Sequence, residues 1–252
     1  FELWKRKTLS VLQDLDFSFS DVYRNRREIF VGTLIQVLPL MIQLGQLSDA
    51  ASFFEALGFS PDEEGSHRYE LFLESCMPEK DRTKAVLLFN IRMVIIFGVY
   101  EKMPSRDEIL NIAASQDAGA RRIVFYDTLE YGARAFLKLG RDDDAFELAL
   151  RAVSPEQRTL KWTARVSCHS ILGQITAKRQ GMEKANAHFK TALAEAKRSR
   201  LPMLEVLTAR DWKRHALLPS GCDRTDAEAA IDGACAAMSK TRGQIEAHIG
   251  PL

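Results

Sequence analysis

Apolar positions in this chain recur every three to four residues over long stretches, and short polar or glycine-bearing gaps interrupt them. That period belongs to helices with one buried face. Alternating Val/Ile/Thr runs bounded by Asn-Gly or Asp-Gly turns, which would announce hairpins, do not occur. The pattern predicts helices near 2–14, 20–44, 47–57, 61–76, 79–102, 105–115, 119–139, 142–153, 155–180, 182–199, 202–217, 225–238 and 241–248. Ser60-Pro61-Asp62-Glu63 and Ser154-Pro155-Glu156-Gln157 each offer a cap, a first-turn proline and acids or amides behind it. Ser105 and Glu108 have capping-box spacing, and Thr225-Asp226 marks another start. Gly45, Gly58, Gly140 and Gly181 mark stops, because glycine takes the left-handed conformation at little cost. Connections this short fold consecutive helices into antiparallel neighbours. The loose stretch Leu217–Arg224 is expected to separate a helical array, 1–216, from capping helices in 217–252.

Two polar stripes break the apolar pattern. Along Arg26–Gln43, Arg26, Thr33, Gln36 and Gln43 fall at intervals of seven, three and seven. They keep to one narrow strip of the helix while Ile29, Phe30, Leu34, Val37 and Met41 take the rest. Asp127, Glu130, Arg134 and Lys138 make a comparable strip on 119–139. Open strips on otherwise packed helices suit a groove that contacts a partner, although plain solvent-facing strips have the same spacing. Val86–Tyr100, by contrast, is apolar around its whole circumference and belongs in a deep core or an interface. A buried Arg92 on it would need an acidic partner.

Small residues repeat as well. Leu172-Gly173 is followed by Ala185, Phe189 and Ala192, a spacing in which Gly173 admits a second helix and Phe189 fills the crossing one turn beyond Ala185. Gly45, Ala50 and Phe54 echo it. Gly140 with Ala145, Ala149 and Ala152 keeps the small residues and lacks the phenylalanine. In these segments the chain resembles tetratricopeptide-like repeat proteins, and Ala185–His215 looks like the last repeat in the helical-repeat region of large signalling ATPases and nucleotide-cyclase-type regulators. The likeness covers about half of the chain. The alanine anchors lie 95 residues apart between Ala50 and Ala145 and 40 apart between Ala145 and Ala185, against an ordinary period of about 34. The resemblance implies an all-α superhelix, a TPR-like solenoid of antiparallel helix pairs whose first helices line a concave face for a peptide or protein partner. It implies no catalytic residues.

Composition changes this picture little. The chain has 252 residues, and 35 basic against 34 acidic side chains leave a formal charge of +1, so no global field recruits nucleic acid. Cys76, Cys168, Cys222 and Cys235 stand apart without a C-x-x-C pair, which fits reduced thiols rather than a zinc or redox site. Phosphate-cradling glycine loops, H-E-x-x-H and G-x-S-x-G are absent. Asp142-Asp143-Asp144 lacks the spacing of a calcium loop and suits a helix N-terminus instead. Cys168-His169 are neighbours that point about 100° apart on a helix. Asp211 and His215 share one helical face. No run reaches the roughly 18 uncharged apolar residues of a membrane span. The expectation is a non-catalytic scaffold or adaptor with a protein or peptide partner and no cofactor, metal or nucleic acid. An accessory subunit locked into a larger, membrane-associated or soluble complex is the alternative, and an enzyme of unfamiliar type is the third. The expected location is intracellular, the cytoplasm first, with an organelle left open because the sequence starts at Phe1.

Overall fold

The computed structural model of the chain describes residues 41–42, 45–56, 59–76, 79–98, 101–116, 128–154 and 162–252, and among these all regular structure is helical. They fall into two compact units, one built on Leu47–Met103 and the other on Pro104–Leu252 together with Gly45 and Gln46. Among the described residues no helix is long and apolar enough to cross a membrane.

The first unit contains α1 (Leu47–Ala56), α2 (Glu63–Cys76) and α3 (Glu79–Phe97), with α1 and α2 both packed on α3. Phe59, in the turn between α1 and α2, is fully buried and contacts the rings of Phe54, Tyr69, Phe72 and Phe89. The entry to α2 differs from the expected Ser60 cap. Asp62 is the capping residue: its Oδ1 accepts from the Gly65 amide at 2.7 Å and from the Ser60 hydroxyl at 2.7 Å. A Cβ on Gly65 would stand 2.3 Å from the Ser60 backbone N and O, so only glycine lets the chain fold back over this first turn. In α3, Ile91, Met93 and Val94 have no exposed surface and Arg92 is buried with them. Of the all-round apolar run, Leu88, Phe89 and every residue from Ile91 to Ile96 are buried, Val86, Leu87 and Phe97 are half-buried, and Val99 and Tyr100 lie outside the described residues.

The second unit contains α4 (Arg106–Gln116), α5 (Thr128–Lys138), α6 (Asp142–Ala152), α7 (Trp162–Arg179), α8 (Met182–Ser199), α9 (Pro202–Trp212), α10 (Thr225–Ala237) and α11 (Arg242–Ile249). Each helix from α5 to α9 packs on the next, while α5 also touches α7 and α7 touches α9. That alternation places α5, α7 and α9 in one layer and α6 and α8 in a second. The Ser105–Glu108 capping box at α4 forms as expected, each residue's side chain bonded to the other's amide.

Two helix pairs repeat in detail. In α7/α8, a Cβ on Gly173 would meet the Phe189 ring at 2.7 Å, so the two residues form one helix-crossing contact. In α5/α6, a Cβ on Gly132 would meet Leu148 Cδ1 at 2.8 Å. Each pair turns on a positive-φ glycine, Gly140 or Gly181, placed eight residues after the crossing glycine and eight before its partner. Leu148 therefore does for α5/α6 what Phe189 does for α7/α8, and the period is 41 residues. Ala145, Ala149, Ala152, Leu172, Ala185 and Ala192 are all fully buried, as are Ala50 and Phe54 to within 1% in the first unit.

The stretch expected to be loose after residue 217 stays helical for three residues more. Beyond α9 the chain widens into a π-turn, Lys213–Leu217, with the Leu218 amide bonded to the Lys213 carbonyl, and continues to Ser220. Pro219 gives the reason. Its ring would clash with the carbonyl four residues back in a regular α-helix, and a wider turn relieves that contact. Left-handed Gly221 then ends the helix. A continuous core of Phe189, Val206, Trp212, Ala227, Ile231 and Ile245 joins α8 through α11.

Candidate functional site

The polar groups that cross the α5–α7–α9 layer form the most built-up site among the described residues. On α5, Glu130 is fully buried, and its carboxylate pairs with Arg134 one turn on. Ser167 of α7 donates to the same Glu130 oxygen at 2.7 Å. Further along α7, Ser170 and Gln174 donate to Asp211 Oδ2 of α9 at 3.2 and 3.4 Å. Residues Ser167, Ser170 and Gln174 keep to one strip of α7 because they are three and four apart.

Electrostatics tie the row together. Burial works against the Arg134 charge, but the carboxylates of Glu130 and, more weakly, Asp211 outweigh it and hold the guanidinium above its ordinary range. Arg134 is therefore a fixed cation, partly open to solvent, with 25% of its side chain accessible. His215, in the π-turn, is pulled below its ordinary range by burial and by Lys178, Arg214 and Arg210, against the opposing pull of Asp211. At the edge of the row Lys178 bonds Asp142 Oδ2 at 3.0 Å, and Arg179 pairs with Asp143.

Of the residues expected to meet a partner, Arg26, Thr33, Gln36, Gln43 and Asp127 lie outside the described residues. Arg134 lies in the row. Glu130, expected on an open strip, is instead sealed beneath it as the anchor of Arg134. Ser167, Ser170, Gln174 and Asp211 complete the row and were not read from the sequence as a set. Their spacing on α7 was visible, but the bonds to Glu130 and Asp211 span 37 to 41 residues.

The row presents hydrogen-bond donors, one guanidinium and two carboxylates. Ser170, Asp211 and His215 are the residue types of a hydrolytic triad, yet Ser170 donates to the carboxylate directly, whereas nucleophile activation needs the imidazole between them. Cys168 is fully buried. His169 faces His188 with ring centroids 5.9 Å apart, and burial first, then His188 and Arg165, bring its pKa down to about 4. Among the described residues no group of three or more metal-ligating side chains assembles. Asp142, Asp143 and Asp144 are each matched to a cation, Lys178, Arg179 and Arg141. No protein-family model, curated protein or solved structure matches the chain.

Proposed function

We propose that the chain is a TPR-like helical-repeat module that holds a protein or peptide partner along the α5–α7–α9 layer and catalyses no reaction. The observation that carries this reading is the polar row itself, in which the buried Glu130 carboxylate, held in turn by Ser167, fixes Arg134, whose side chain keeps a quarter of its surface accessible. A recognition surface gains from such fixing, because a pre-positioned charge loses little freedom on binding. The 41-residue repeat of glycine crossings adds support, since stacked identical pairs present their first helices side by side. The accessory-subunit reading makes the same row a permanent interface.

A capture experiment from extract of the source organism tests the proposal. Gln174→Arg in the row, with Lys138→Glu at the exposed end of the α5 strip, changes two positions that are not fully buried. Partners held by the wild type should be lost on this variant and kept on Leu150→Ser, an exposed position on α6. Equal capture by all three proteins would remove the row from the binding site.

A further inference from the structure

A second surface lies between α8 and α10, on residues that the polar row does not use. It is a groove of about 430 Å³ whose walls are Lys190 and Lys197 on α8 and Asp226 on α10. Its apolar lining is Leu193 and the exposed Ala194 of α8, Ala229 and Ala230 of α10, and Trp212 of α9. The apolar lining is mostly alanine, so the depression has room for a large side chain from outside. Lys190 and Lys197 are exposed, and neither is in a close ion pair among the described residues, while Lys197 acts at longer range on Glu205 of α9. Seven positions apart on one helix, they stand on one edge, separated along the axis by about 10.5 Å.

We infer that this groove docks an acidic amphipathic helix of a partner protein. Two carboxylates one heptad apart would meet Lys190 and Lys197, and a Leu or Phe between them would enter over Ala194 and Ala230. Charge decides the occupant. A second copy of α8, itself rich in lysine and arginine along 184–200, would bring like charge to this edge. Asp226 on the far wall sets the direction, because it disfavours a carboxylate on that side and favours a cation. The partner helix is therefore acidic on the α8 edge and neutral or basic on the α10 edge. The groove and the polar row are on different residues, so either function can fail without the other.

The probe is a fluorescein-labelled, end-capped helical peptide with two glutamates seven residues apart and a leucine between them, titrated into the full chain by anisotropy. Saturable binding should weaken roughly tenfold in Lys190→Glu/Lys197→Glu and more so in Ala194→Trp, which fills the groove from its rim. Asp226→Asn should tighten binding, a sign that a merely structural role for Asp226 does not produce. Gln174→Arg, on the polar row, should leave the titration unchanged. Circular dichroism and urea midpoints confirm that each exposed substitution leaves the fold intact. The inference is overturned if the peptide does not bind at millimolar concentration or if a lysine-for-glutamate peptide binds equally. It is also overturned if the double lysine variant binds like wild type, or if an oligonucleotide binds where the peptide does not.

Discussion

At the scale of single residues, the most exacting contact is Gly173 against Phe189. A methyl group on Gly173 would sit 2.7 Å from the ring, and the ring is fully buried with Trp212 stacked beyond it at 6.3 Å. Gly173→Ala should therefore overpack the crossing and cost about 1–3 kcal/mol. Phe189→Ala should cost about 3–5 kcal/mol through lost transfer energy and the cavity left behind. Urea midpoints measure both, and near-wild-type values for the pair would mean the helices do not cross at this point. His169 supplies a pH effect. Burial lowers its folded-state pKa to about 4, from an ordinary 6.5. The unfolded chain thus takes up a proton that the folded chain refuses, so stability is complete above pH 6.5 and declines as the pH falls toward 4. His188, which faces it and is itself held low by burial, acts in the same direction. His169→Gln should flatten that part of the stability curve, as thermal melts across the range would report. The glycine crossing was legible because a glycine and an aromatic at helical spacing have one simple joint use. The His169–His188 contact was not, because the two residues are 19 apart in the chain and meet only when α7 and α8 pack.

At the scale of helices, starts and stops were the most readable features, and their departures have local causes. The α8 limits agree with the punctuation of the chain because Gly181 and the basic last turn of Lys197 and Arg198 leave no competing choice. At α2 the pattern points to Ser60 as the cap with acids behind it, and the tight return over Gly65 selects Asp62 instead. Two amide- and hydroxyl-derived hydrogen bonds, from Gly65 first and then Ser60, hold the Asp62 carboxyl below its usual range. Asp62→Ala should cost about 1 kcal/mol and Ser60→Ala less. The reverse order in chemical denaturation would restore Ser60 as the cap. The Glu130 misreading has a different origin. An inward carboxylate and an outward one look alike in sequence when a cation follows four residues later, and the partner that reveals its burial, Ser167, is on another helix. The same blindness hid the role of Leu148, which fills the α5/α6 crossing as a phenylalanine does in α7/α8.

At the scale of the whole molecule, the region from Pro104 onward carries its own core and its own end closure. Arg242 bonds Glu228 and Asp232 at 2.6 Å each, Lys213 reaches Glu228 at 2.7 Å, and Arg210 bonds the Ile249 carbonyl at 2.8 Å. A fragment of residues 104–252 should accordingly fold alone, with a helical far-ultraviolet spectrum and a single cooperative urea transition. A gradual, non-sigmoidal loss of signal would show that this region depends on the rest of the chain. The helical class of the fold was legible because the apolar period is helical along the described helices, even where a cap or an end departs from the punctuation, as at α2 and beyond α9. The candidate site was legible only in part, because its row is assembled across three helices and its charges are tuned by burial. The central claim is that a partner lies along the α5–α7–α9 row. Its most direct measurement is photocrosslinking in source extract, with a benzophenone amino acid placed at Gln174 and, separately, at Leu150 on α6. The account predicts one defined protein adduct at position 174 and none at 150. No adduct at 174, or the same adducts at both positions, would contradict it.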